Sequence, residues 1–267
     1  MNKKKGENKN FSRELLRKNK RGQVAIFVIV AIVIIAFAAL AYVYFPKIKL
    51  ALTSEKKSPN QFITECVKDD LEEYVKQISL QGGTLNPSPY YMYEGNKLQY
   101  ICYTNENYEA CIRQKTNLKE GIEKELEEAI EETVSNCFAS LKEEYEKKGY
   151  DVSIRSGEIK VKLSPKRIIG SFDYEVVLSK EGSEKYDSFN VILNNNLYEL
   201  LDLLDKIVNI EINGGDADPV ALMYGYPQFE IERKKQSDGT TVYLLKDREA
   251  GGILNFAVRS WVLPPGI

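Results

Sequence analysis

One uninterrupted run, Val24 to Phe45, constrains this chain more than any other feature. It reads VAIFVIVAIVIIAFAALAYVYF, 22 residues with no charge, no proline and no glycine. About 20 apolar residues in a helix span the hydrocarbon core of a bilayer. A helix also satisfies its own backbone hydrogen bonds there. A soluble core helix of this length would keep a polar face, and this run has none. The reading is a transmembrane helix over 23–46, ended by Pro46 and followed by Lys47 and Lys49. Residues 1–22 carry nine Lys/Arg against Glu7 and Glu14, a net +7, so the rest of the chain is −9 within an overall −2. Basic residues beside a span stay on the cytoplasmic side. The expectation is a single-pass protein of the plasma membrane, with a basic cytoplasmic tail or leader and an acidic extracellular carboxyl-terminal domain. Its first partner is then the lipid bilayer, whose anionic headgroups attract the tail. An acidic ectodomain argues against nucleic acid as a partner.

The chain has no histidine, which removes the commonest general base and the commonest zinc ligand. Its four cysteines, Cys66, Cys102, Cys111 and Cys137, all lie beyond the span, in the compartment where disulfides persist. No CxxC occurs, so two disulfides are expected and no metal site; four cysteines allow three pairings.

Beyond a linker at 47–58, the pattern divides into a cysteine-linked helical region with a tyrosine-rich hairpin, 59–149, and an α+β, strand-rich region, 150–267. Ser58, Pro59 and Gln61 spell a helix start with a capping box. Ile63, Val67, Leu71, Val75 and Ile78 then repeat at helical spacing until Gly82-Gly83. A second, longer helix is expected over 116–148, with Leu118, Ile122, Leu126, Ile130, Val134, Phe138, Leu141 and Tyr145 as one stripe. Cys66 lies near the start of the first helix and Cys137 near the end of the second. Antiparallel packing brings these two together, which predicts Cys66–Cys137 and leaves Cys102–Cys111 as a local clip.

Between the helices, PYYMY and LQYICY flank Glu94-Gly95-Asn96 and read as a hairpin. Its Tyr90, Tyr91, Tyr93, Tyr100 and Tyr103 are candidates for a binding surface, because tyrosine combines apolar area with a hydrogen bond at low entropy cost. After Gly149 the period changes to two. DVSIR and EIKVKL, joined by Ser156-Gly157, are expected to form a hairpin. RIIGSFDYEVVL gives a strand ending at the Glu181-Gly182 turn, and Asn196 with Glu199 starts a third helix. The glycine loop with Asp216 and Asp218 reads as an acidic turn rather than a calcium site, since further oxygen ligands are lacking. QFEIERKK and TTVYLL form a last hairpin around Ser237-Asp238-Gly239, and Trp261 is expected as a buried anchor. The fold class is therefore α+β: an amino-terminal transmembrane helix, then an extracytoplasmic domain of a helix pair and antiparallel hairpins.

Residues 17–27, RKNKRGQVAIF, place a basic cluster and a glycine immediately before Gln23 and the apolar helix. This arrangement resembles the class III signal peptide of archaeal type IV pilin-like proteins. The resemblance implies cleavage by a prepilin peptidase between Gly22 and Gln23, with the helix retained as anchor and filament core, and like subunits or other surface proteins as partners. Two features depart from that pattern: Phe27 stands where many pilins carry a glutamate, and Pro46 breaks the helix past the membrane. The whole layout also resembles uncharacterised single-pass membrane proteins of small-genome archaea. These share a cysteine-bearing helix ending in QGG, a second long helix with a cysteine, and a stretch like LLKDREAGGILNFA.

No G-x-S-x-G, P-loop or H-E-x-x-H pattern occurs, so no catalytic residue is assigned and no cofactor is expected. The function this supports is a membrane-anchored structural or interaction protein without catalysis, reading as a pilin-like surface subunit. The alternatives are a ligand- or partner-binding ectodomain, and an extracytoplasmic enzyme working through paired carboxylates.

Overall fold

The structure, a computed structural model, describes residues 28–36, 57–249 and 251–264. Two compact units divide it, Met1–Lys57 and Ser58–Ile267. In the first, residues 28–36 are helical with exposed side chains. The rest of the 23–46 span, Gly22, Gln23 and most of the linker lie outside the described residues. Among the described residues no helix is long and apolar enough to cross a membrane.

The second unit is mixed α+β. Helix α1 (Pro59–Leu80) begins at Ser58, whose hydroxyl oxygen accepts from Gln61 N at 3.2 Å. The capping box stays half made, because the Gln61 side chain donates forward to Glu65 instead. Its buried residues are Ile63, Val67, Leu71, Val75 and Ile78, with Pro59 and Ser79 at the ends. Helix α2 (Leu118–Lys147) buries the expected stripe together with Cys137. The two helices pack against each other and are joined by Cys66–Cys137, with Cα atoms 5.9 Å apart. Cys102–Cys111 is the second bridge. Closing the 71-residue separation of the first is worth roughly 2–4 kcal/mol.

Among the described residues there are twelve strands. A hairpin of β1 (Tyr90–Tyr93) and β2 (Asn96–Tyr103) precedes the two-residue β3 (Ile112–Arg113). After α2 come β4 (Asp151–Arg155), β5 (Ile159–Ser164), β6 (Arg167–Phe172), β7 (Glu175–Ser179), β8 (Ser183–Tyr186) and β9 (Phe189–Asn194). Helices α3 (Leu197–Gly214) and α4 (Pro219–Gly225) lead to β10 (Phe229–Lys235), β11 (Thr241–Asp247) and β12 (Ile253–Arg259).

The hairpin expected at Ser156-Gly157 is a different object. β4 pairs with β7, and β5 with β6, so DVSIR and EIKVKL are successive halves of one strand. The sheets β4-β7-β8 and β5-β6-β9 are thus one three-stranded meander broken at the same level in every strand. Gly157 stands at that break because the Asp173 carbonyl oxygen would lie 1.8 Å from any Cβ there. The glycine marks a close backbone approach rather than a turn. The actual turn is at Pro165-Lys166, where Lys166 takes φ 62°. The meander lies over the helix pair, with β4 and β5 on α2 and β9 on α1.

The larger sheet runs β1-β2-β12-β11-β10, with β3 on β2. All its pairs are antiparallel except β2 with β12, which run parallel. The tyrosine hairpin from the first half of the chain therefore completes the sheet built by the last third. The 59–149 and 150–267 regions share one core, which includes Ile63, Ile122, Val161, Leu204, Phe229 and Phe256.

Gly157→Ala should lower the unfolding free energy of the full chain by more than about 2 kcal/mol in urea titrations, since backbone must move to admit a methyl group. Gly182→Ala, at an exposed turn with nothing within 4 Å, should stay within about 0.5 kcal/mol.

Candidate functional site

Two residues make the hairpin that carries the tyrosines. Glu94 and Gly95 both have positive φ, 46° and 84°, the conformation a two-residue turn needs to match the strand twist. Below the turn, the buried Gln99 side chain grips the Ser88-Pro89 junction, accepting from Ser88 N at 2.7 Å and donating to Tyr100 O at 2.9 Å. These bonds hold β1 in register, with Tyr91 opposite Leu98 and Tyr93 opposite Asn96.

Strand alternation then sorts the five candidate tyrosines. Tyr91, Tyr93 and Tyr103 pack with Tyr100, Leu98, Val242, Leu244 and Ala257 in a small apolar cluster on the outer face of the large sheet. Every member comes from a strand of that sheet. The inner face, with Ile101, Tyr243, Leu254, Phe256 and Val258, belongs to the main core beneath α1 and α3. Tyr90 lies on the opposite side of β1 from Tyr91, 43% exposed, with the Lys97 ammonium 4.9 Å from its ring centroid. The structure thus gathers four of the five tyrosines and separates the fifth.

Within the cluster, Tyr100 is buried and meets Tyr103 edge-on at 4.8 Å and Tyr91 at 6.4 Å. Its hydroxyl lies 2.7 Å from Thr240 Oγ1, which is 3.0 Å from Asp238 Oδ2. Threonine has one proton and gives it to the carboxylate, so Tyr100 is the donor in its pair. Tyr91 OH donates to Gln236 Oε1 at 3.3 Å. Burial pushes the Tyr91, Tyr93 and Tyr100 phenols above their usual range, so all three remain neutral donors at physiological pH. The result is a tyrosine-lined sheet face, half-buried at Tyr91, Tyr93, Tyr103 and Leu244.

The other candidates resolve into structural roles. Asp216 pairs with Arg233 and, at 3.3 Å, with Lys235. Burial opposes its ionisation, but the two cations outweigh burial and hold its carboxyl below the usual range. Asp218 caps α4 by accepting from Val220 N. Among the described residues no group of three His, Cys, Asp or Glu is placed to hold a metal. Trp261 is not the buried anchor expected. It is 41% exposed and clamps the end of α3 from outside, with its ring against Gly215 and Nε1 donating to Ile212 O at 3.1 Å. Only the glycine leaves room for that ring, since a Cβ at 215 would approach it to 2.6 Å.

Motif reading passes over Glu211, a buried carboxylate on α3. It accepts from the Tyr243 hydroxyl and from Ala217 N at 3.2 Å, tying α3 and the acidic loop to the inner face of the sheet. Helical periodicity does place Glu211 on the apolar stripe with Leu204, Ile207 and Val208, and that was the available signal. Among the clefts of the described surface, two shallow ones border the helix pair. One of about 320 Å³ lies between α1, β9 and Gly251–Ile253, and one of about 540 Å³ lies between Glu127, Glu128 and Glu131 of α2 and the meander break.

No protein-family model, curated protein or solved structure matches the chain.

Burial first, and then the charge of Glu211, push the Tyr243 phenol far above its usual range. Its stabilising contribution is therefore complete below the ordinary tyrosine pKa near 10 and fades as pH rises beyond it, because the unfolded chain ionises first. Tyr243→Phe should cost about 1–3 kcal/mol at pH 7 by leaving Glu211 short of a donor. In urea titrations from pH 8 to 11 the variant should lose stability less steeply than the parent chain.

Proposed function

We propose that this chain is a membrane-anchored extracytoplasmic structural or interaction protein, with a pilin-like amino terminus and no chemistry of its own. The observation that carries the reading is the uncharged run Val24–Phe45 behind a tail of net +7. Its described part, residues 28–36, is a helix of exposed aliphatic side chains. Such a surface calls for an apolar surrounding. Two further features support the head domain's placement outside the cell: both cysteine pairs are bridged, and free cysteines are absent among the described residues. The Gly22–Gln23 junction supplies the processing site and residues 23–46 the anchor.

Protease added to intact cells should remove residues 58–267, and protection until lysis would overturn the topology. Mass spectrometry of the mature chain should find Gln23 at its start. A retained Met1 would remove the pilin-like processing and leave the anchor standing.

A second reading, a partner-binding ectodomain, is favoured by the outer sheet face with Tyr91, Tyr93, Tyr100 and Tyr103. Tyr91→Ser with Tyr93→Ser should release the domain's cross-linked neighbours on the cell surface while leaving both disulfides intact. Unchanged cross-linking would count against this face.

A further inference from the structure

Strand β1 ends the large sheet on one side, and it differs from the other sheet edges among the described residues. β10 carries Glu230, Glu232, Arg233, Lys234 and Lys235; β8 carries Glu184 and Lys185; β4 carries Asp151 and Arg155. The β5 edge is occupied, because Val161 N and Leu163 N donate to Glu127 and Glu123 of α2 at 2.9 and 2.8 Å. On β9, Thr64 of α1 donates to Asn190 O. Charged or covered edges resist pairing with another chain. β1 reads YYMY and has neither protection: Tyr90 is 43% and Met92 53% exposed.

The hydrogen-bond phase shows which groups β1 offers. Residues flanking a two-residue turn form a bonded pair, here Tyr93 with Asn96, and bonded pairs then alternate along the ladder. Tyr100 N donates to Pro89 O at 3.0 Å, which continues the same phase. Odd-numbered residues 89, 91 and 93 therefore bond to β2, and the N–H and C=O groups of Tyr90 and Met92 point away from it. Among the described residues no other backbone group bonds to Tyr90 or Met92.

We propose that β1 pairs antiparallel with β1 of a second copy of this chain, about a two-fold axis through Tyr91. This deepens the contact-surface reading by naming the partner, and it rests on the sheet rather than on the anchor. The two-fold arrangement places Tyr90 opposite the partner's Met92 and Met92 opposite the partner's Tyr90, which exchanges about four backbone hydrogen bonds. Tyr91 faces its own copy at a non-bonded position on the outer face, extending the tyrosine cluster across the axis. The Tyr90–Met92 contacts on the other face are of the favourable sulfur–aromatic kind. Pro89 falls opposite Tyr93 at a non-bonded position, so its missing N–H is not needed. Residues 89–93 are uncharged, so self-pairing sets no like charges against each other, and the two-fold register gives every outward backbone group of Tyr90 and Met92 a partner. Of the other edges, β4, β8 and β10 would oppose charge to charge, β5 and β9 must first displace α2 or α1, and β3 offers only two residues, one of them Arg113 in an ion pair with Asp205. So short a pairing makes a weak dimer, which confinement of both copies to one surface would strengthen.

The test uses the full chain purified in a non-ionic detergent. Non-bonded antiparallel partners have Cα atoms near 4.5 Å, within disulfide range. Tyr91→Cys should therefore form a bridged dimer under mild oxidation at least about tenfold faster than Tyr224→Cys, a control at an 87% exposed position on α4. Adding Met92→Lys to Tyr91→Cys should return the rate to that of the control, with the far-ultraviolet circular dichroism unchanged. Equal rates for the two cysteine variants, or a fast rate that Met92→Lys leaves untouched, would overturn the pairing. Either result would leave the tyrosine face itself to the surface cross-linking of Tyr91→Ser with Tyr93→Ser.

Discussion

The head domain depends on the mutual burial of two helix stripes. α1 and α2 each present one apolar line, and neither line is stable against water alone. Their antiparallel contact, fixed by Cys66–Cys137, makes a ridge that the rest of the chain must cover. The meander covers it with β4 and β5 on α2 and β9 on α1, and Gly157 admits the close backbone approach at its break. The large sheet closes the remaining side, seated on α1 and α3.

Glycines supply the close approaches that this arrangement demands. A Cβ on Gly82 would lie 2.9 Å from Gln99 Cβ and 3.3 Å from Asn255 O, and one on Gly83 would lie 2.9 Å from Leu118. The QGG segment and the LLKDREAGGILNFA stretch, far apart in sequence, thus meet where α1 passes into the large sheet. Asn196 before α3 joins the same place by donating to Asp247, whose backbone accepts from Gly251 N. These two segments act together as a packing junction.

The large sheet has two unequal faces. Its inner face is sealed by helices, with Glu211 and Tyr243 satisfying each other inside. Its outer face is covered by its own side chains, and tyrosine suits that position because the ring body shields neighbouring apolar surface while the hydroxyl meets water or a polar partner. Tyr100 has turned inward to Thr240 and acts structurally, whereas Tyr91 and Tyr93 remain half-buried at the rim.

Much of this was written locally. The stripes Ile63 to Ile78 and Leu118 to Tyr145, the Gly82-Gly83 stop and the Glu94-Gly95 turn follow from spacing, because period and turn chemistry are short-range properties, and antiparallel packing of the two stripes then pairs the cysteines. The apolar run Val24–Phe45 and the charge imbalance beside it are likewise properties of the sequence alone. The role of Gly157 was not legible, since a glycine that makes room for Asp173 O looks the same in sequence as one that makes a turn. Nor was the parallel pairing of β2 with β12, the burial of Glu211, or the division of the tyrosines between two faces. Each of these depends on which distant strand or loop arrives alongside, and only the folded chain, where contacts are made across more than a hundred residues, decides that.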